Sequence, residues 1–428
     1  MEASMLRTSL QVGDWCDWRI MESGLKVVKA PVDVGKLPNH LNIVSLSSYV
    51  VFGQAGRTTL KVHDLDCCSR PVSSTAGRLT YNYKDIVFTP YGDYWREMRK
   101  ICALELFSMA RVQSYSFIRE EEVASLVNSI SQSASSATPV DLSEKMLALT
   151  ANILCRTAFG KNFCGSGLDN EKLREVVHEA EVMFASFSAT EFFPYMGWII
   201  DSSLAGFEDS KRFFVIWMIF CNRPLIFIST PRRQNKTTNT VKMDQRTNIG
   251  APPFNTDNIK AILFQHCCEV RNVVGNRGNV TESDITHLHY LKMIIKETFR
   301  LHSPAAILLP RLTMTDVKIG SYDIGPNSLL QVNAWALGRD PEYWKNPEEF
   351  YQKGQHFELL PFGSGRRGCP GTYMGATTVE LSLANLLYCF DYKVPSGMKE
   401  EDINMEESTG VGLTQKRIPL NLVPVKVF

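Results

Sequence analysis

The ten residues Phe362-Gly363-Ser364-Gly365-Arg366-Arg367-Gly368-Cys369-Pro370-Gly371 constrain this chain more than any other segment. Four glycines let the backbone take left-handed turns and approach a flat ligand closely. Pro370 suits the first turn of a helix, so Cys369 is expected at the N-terminus of the helix that follows. Amides and the helix dipole there favour a thiolate over a thiol, and Arg366 and Arg367 add positive charge. A thiolate held in this way ligates iron and donates electron density to it.

Three other readings compete for the same residues. Gly363 to Gly368 spells GxGxxG, but a dinucleotide loop follows a strand and opens a helix directly, whereas Pro361 precedes this one. Cys369 with His302 or His356 would make a nucleophile and base, without a protease-like local signature. A merely buried cysteine would need neither the glycines nor the arginines.

Upstream, Lys296-Glu297-Thr298-Phe299-Arg300 places an acid and a base three apart on one helical face. Trp95-Arg96-Glu97-Met98-Arg99 puts Trp95 and Arg99 on another common face. Together these segments resemble the cytochrome P450 family. Phe362, Gly365, Arg367, Cys369 and Gly371 match its F-x-x-G-x-R-x-C-x-G loop; Glu297 and Arg300 match E-x-x-R; Trp95 and Arg99 match W-x-x-x-R. The wording of Lys61 to Asp66, Ser69-Arg70-Pro71 and Asn346 to Phe350 is similar to that of plant microsomal members of the 71 clan.

The resemblance implies a haem whose iron is bound by Cys369, with Trp95, Arg99, Arg311 and Arg367 toward its propionates and Phe362, Gly365 and Gly371 shaping the loop. Glu297 and Arg300 would form a structural pair, and Ala305, Ala306 and Ile307 would border a substrate pocket. It also implies monooxygenation of an apolar small molecule with electrons from NADPH through a flavoprotein reductase. Arg99, Lys100 and Arg366 offer that partner a basic face. Family members sit at the endoplasmic reticulum membrane, on the cytosolic side.

The chain departs from the pattern in four places. Residues 1–36 carry no apolar run that would serve as signal peptide or anchor, so membrane association follows from the family alone and a cytoplasmic location stays open. The P450 domain is read as 37–428, with an atypical segment at 213–250. Near 263–269 the distal A-G-x-D/E-T-T/S segment is missing, and no distal catalytic residue is identified. Near 350–354 the P-E-R-F segment is missing, which leaves Glu297 and Arg300 without their usual third partner. Two readings therefore stay open: a working haem-thiolate monooxygenase, or a non-catalytic product of this family.

Periodicity predicts a mainly α fold with a small β part, and the resemblance implies an incomplete cytochrome P450 fold. Helices are expected over 93–106, 120–130, 142–159, 170–187, 287–302 and after Gly371, with a further helix from about Asn255 and a short turn capped by Thr281. Strands are expected at 316–319 and 329–333. Residues 232–250 read as a polar loop. The apolar run from Phe213 to Ile228 is split by Asn222, Arg223 and Pro224 into halves too short to span a bilayer. The chain has a net charge of +1 and no basic stripe, which sets aside a nucleic-acid binder. Eleven cysteines in no regular framework read as free thiols.

Overall fold

The computed structural model describes residues 25–28, 48–51, 53–72, 76–77, 80–160, 267–320, 322–344, 347, 350, 360–399, 402–404, 406–409 and 414–427. The expected helices at 170–187 and from Asn255, the apolar run and the polar loop lie outside these residues, as do 263–266 and 351–354 of the two gap regions.

Two strands, β1 (Leu25–Val28) and β2 (Ser48–Val51), open the described chain. A helical stretch follows, α1 (Gly53–Arg57) running into a π turn at Thr58–Val62. Helix α2 (Asp93–Ile101) also passes into a π turn, Cys102–Leu106, where periodicity predicts one uninterrupted helix. The wider turn closes when Phe107 N–H donates to Cys102 at 2.9 Å, and it delivers the Phe107 ring to the thiolate loop.

Helices α3 (Met109–Ser114) and α4 (Ser116–Ser135) lead through β3 (Val140–Asp141) into α5 (Leu142–Phe159). Asp141 caps α5 by accepting from Ser143 and Glu144 amides at 2.8 and 3.1 Å, and Gly160 ends it with φ +66°. After residue 267 come α6 (Glu282–Ile285) and α7 (His289–Leu301). Thr281 and Asp284 close a capping box on α6, as the sequence predicts for Thr281. Helix α7 takes its anion from elsewhere: Glu269 accepts from Tyr290 and Leu291 amides at 2.9 and 3.0 Å.

The strands β4 (Arg311–Leu312), β5 (Val317–Ile319), β6 (Tyr322–Ile324) and β7 (Leu329–Val332) precede α8 (Ala334–Leu337) and the long α9 (Thr372–Cys389). The chain ends with β8 (Phe390–Lys393), β9 (Glu407–Thr409), β10 (Thr414–Lys416) and β11 (Asn421–Lys426). One sheet has the order β1-β2-β7-β4, in which β2 and β7 run parallel. A second, β3-β11-β8, ties the end of the chain to the start of α5.

Two hydrophobic clusters result. The larger joins α4, α5, α7 and α9 through Val123, Leu126, Ile130, Ile153, Leu291, Ile295, Leu381 and Phe390. The smaller packs Val51, Leu60, Val317, Ile319, Leu330, Val332 and Leu360 beside the four-stranded sheet. Among the described residues no helix is long and apolar enough to cross a membrane. Eight cysteines, Cys369 included, are unbridged there.

Candidate active site

The cysteine loop crosses from one cluster to the other. Leu360 belongs to the sheet-side cluster. Two residues on, Phe362 meets Phe299 of α7 edge-on, with ring centroids 6.0 Å apart, and lies against Gly375 of α9. The backbone then folds on itself: Gly363 N–H donates to Leu360 at 3.1 Å, Gly368 N–H to Gly365 at 3.0 Å, and Cys369 N–H to Phe362 at 2.8 Å. Gly365 to Arg367 form one 3-10 turn, not the strand-to-helix switch of a dinucleotide loop.

Gly365 has to be glycine on two counts. Its φ is +69°, and a Cβ would stand 2.1 Å from Asp64 Oδ1. A Cβ on Gly371 would meet Phe107 at 3.6 Å and the Cys369 sulfur at 3.9 Å. One expectation needs correcting here. Pro370 is not a first-turn residue, because Gly371 is the N-cap and α9 starts at Thr372. Cys369 thus stands two residues before the cap, in a turn closed by the Thr372 hydroxyl donating to its carbonyl at 2.8 Å. Its side chain is exposed, unlike those of Cys67 and Cys68. Burial pushes the Cys67 thiol up to about 12, so it stays protonated.

Arginines surround this loop. Arg367 donates to the carbonyls of Cys68 at 2.7 Å and Thr89 at 2.8 Å, and its guanidinium lies 4.3 Å from the Trp95 ring centre. Trp95 is buried and its indole N–H donates to Ile86 at 2.9 Å. Arg99, one turn on, donates to the Gly368 carbonyl and is electrostatically coupled to Cys369. Arg311 on β4 reaches Ser364 at 2.9 Å and Asp64 at 3.0 Å. The sequence reading named these four; it missed Arg70, which is buried and donates to Val87, Leu309 and Pro310. An arginine lodged between two buried cysteines and a proline was the available signal.

Burial pulls Arg70 down to about 9 and Arg367 to about 10, and neighbouring guanidiniums add to both shifts. Arg70 feels Arg367 and Arg311; Arg367 feels Arg311 and Arg99. Asp64 and Asp85 are the carboxylates acting on this group. Desolvated cations outnumber anions, so the loop favours an anionic ligand. A group with a flat face, negative substituents and a metal that takes sulfur fits that surplus, the glycine surface and the exposed thiol together.

The E-x-x-R pair is better satisfied than its sequence suggested. Arg300 Nε lies 3.0 Å from both Glu297 oxygens, and Nη2 is 2.6 Å from one of them. Arg300 Nη1 also donates to the carbonyls of Gly338 at 2.7 Å and Pro347 at 2.6 Å. The Trp344 ring lies 4.9 Å from the guanidinium. Backbone carbonyls thus take up Arg300 donors that its pairing with Glu297 leaves over.

Ala305, Ala306 and Ile307 are half-buried and held in register with α8. Trp335 N–H donates to Ala306 at 3.0 Å, and Ile307 forms a bridge with Asn333. Tyr91, Trp95, Arg96, Arg99, Lys100, Ala103, Gly365 and Arg366 line an open hollow of about 430 Å³.

Comparisons agree with this geometry. The family model described as Cytochrome P450 matches residues 54–239 and 265–422. Cytochrome P450 71B36 of Arabidopsis thaliana is 41% identical over 417 residues, covering 87% of this chain and 83% of that protein. Cytochrome P450 71B9 of the same plant is 41% identical over 440 residues, covering 92% and 87%. A zebra fish cytochrome P450 structure with abiraterone shares the fold at TM-score 0.65, with 20% identity and coverage of 90% and 95%. Fold and loop define a haem-thiolate protein. The chain belongs to the cytochrome P450 family, whose members are monooxygenases, and is of the plant 71 type. The family binds haem iron through a cysteine thiolate.

Proposed function

We propose that Cys369 is the iron ligand of this chain and that it catalyses monooxygenation of an apolar small molecule. The observation that carries the assignment is the convergence of buried guanidiniums on a loop that presents one exposed sulfur. When bound, haem supplies the oxygen chemistry, for which a thiolate ligand donates electron density.

The chain's own residues do the holding. Arg99, Arg311 and Arg367 answer the negative substituents, with Trp95 fixing Arg367 from below. Phe362 seats the loop on α7 and α9, while Gly365 and Gly371 keep its surface free of side chains. Glu297 and Arg300 brace α7 against the segment after α8. Ala305, Ala306 and Ile307 border the substrate side. Electrons come from NADPH through a flavoprotein reductase, for which Arg96, Arg99, Lys100 and Arg366 around the hollow provide a cationic seat. The endoplasmic reticulum membrane, cytosolic face, is the expected location.

The reduced carbon-monoxide difference spectrum tests the ligand. The parent should give a thiolate-type band, and Cys369→Ala should lose it entirely while keeping its far-UV circular dichroism. A band unchanged in the variant sinks the assignment; a folded parent that takes up no haem favours the non-catalytic reading. In haem-free protein, iodoacetamide should label Cys369 and spare buried Cys67, and haem should protect Cys369.

A further inference from the structure

Asp64 lies within the Lys61–Asp66 stretch that resembles the family but in none of the three motifs that mark the site, yet it binds the loop directly. It follows the π turn at Thr58–Val62, which His63 terminates, and its side chain is buried. One carboxylate oxygen accepts from Arg311 Nη1 at 3.0 Å. The other accepts from the Arg366 backbone N–H and from Arg366 Nη1, both at 3.0 Å. Oδ1 also fills the space that a Cβ on Gly365 would need.

These contacts make Asp64 a carboxylate that engages the loop through backbone and side chain at once. Arg311 reaches Ser364 with its other terminal nitrogen. Asp64, Arg311 and residues 364–366 therefore close a ring of hydrogen bonds around the start of the 3-10 turn that leads to Cys369. Charge-assisted bonds of this kind are short, directional and about twice as strong as neutral ones.

We propose that Asp64 is a positioning residue for the haem ligand: its carboxylate clamps the Gly365–Arg366 peptide and Arg311 into one unit, which fixes where Cys369 presents its sulfur. The inference rests on Cys369 being the ligand. Asparagine at 64 keeps an oxygen for Arg311 but turns an N–H₂ toward the Arg366 donors, so the clamp opens on the loop side. It also removes a negative charge near the site, which favours the reduced iron.

The experiment compares Asp64→Asn with the parent as holoprotein and as haem-free protein. Transfer of haem to excess apomyoglobin should be about tenfold faster, the equivalent of one lost charged hydrogen bond. The reduced carbon-monoxide spectrum should lose part of its thiolate-type band, and the reduction potential should move positive. In haem-free protein, amide exchange over residues 362–371 should speed up. Asp141→Asn, which removes a negative charge at a helix cap away from the loop while keeping a capping oxygen, should leave band position and potential unchanged.

Parent-like haem transfer, band, potential and exchange in Asp64→Asn overturn the proposal. If that variant is not recovered folded, Arg366→Gln decides, since this side chain is half exposed. It should shift the potential negative and quicken the same amides, and no change in either overturns the clamp. A parent that binds haem without a thiolate-type band refutes the ligand assignment instead; the exchange comparison still judges the clamp.

Discussion

The helical cluster and the sheet-side cluster are both apolar, but the seam between them is ionic. Within the clusters Leu291, Leu381, Leu330 and Ile319 are fully buried and exclude water without directional bonds. Along the seam Arg70, Arg300, Arg311 and Arg367 each donate to backbone carbonyls far away in sequence. Apolar packing tolerates modest shifts of one surface over another. Guanidiniums that fork to fixed carbonyls do not, because each lost bond leaves a desolvated charge. The molecule thus concentrates its geometric specificity where the ligand loop passes.

Breaking the seam should cost more than breaking either cluster. Arg300→Ala removes the guanidinium that binds both oxygens of Glu297, whose side chain is 4% exposed, and should lower unfolding free energy by about 4 kcal/mol in urea titrations. Leu381→Ala leaves a cavity in the helical cluster and should cost about 3 kcal/mol by the same measurement. A larger loss in Leu381→Ala than in Arg300→Ala would reverse the comparison.

A peripheral ion pair sharpens the contrast. Burial raises the Asp284 carboxyl, but the Thr281 amide and hydroxyl and the Arg277 guanidinium outweigh it, so the net shift is downward. A depressed carboxyl stabilises the fold above its unfolded pKa and stops doing so as pH falls through its folded value. Asp284→Asn should therefore cost about 1 kcal/mol at neutral pH, and the gap to the parent should close on acidification below the ordinary carboxylate range. A gap constant with pH would show that cap geometry, not charge, carries the effect.

Local pattern made much of this legible. Helix α5 begins and ends where the apolar spacing places it, and α7 falls inside its expected span. The cysteine loop was readable because glycine, arginine and cysteine occur there at spacings that only close backbone packing requires. Three things were not readable. The π turn after Ile101 depends on where Phe107 packs, a tertiary matter. The acceptors of Arg300 are main-chain carbonyls, which every residue carries and no letter reveals. Asp64 resembles any surface acid until Gly365 is seen pressed against it.

The clamp also bears on the order of events during synthesis. Asp64 and Arg366 are separated by 302 positions, Cys68 and Arg367 by 299, and Arg99 and Gly368 by 269. Contacts of such separation form only after long loops have closed. A ribosome must therefore release nearly the whole chain before the guanidiniums and the sulfur meet. Haem capture is a closing event for this protein, and a nascent chain halted before Arg366 would have no seat to offer it.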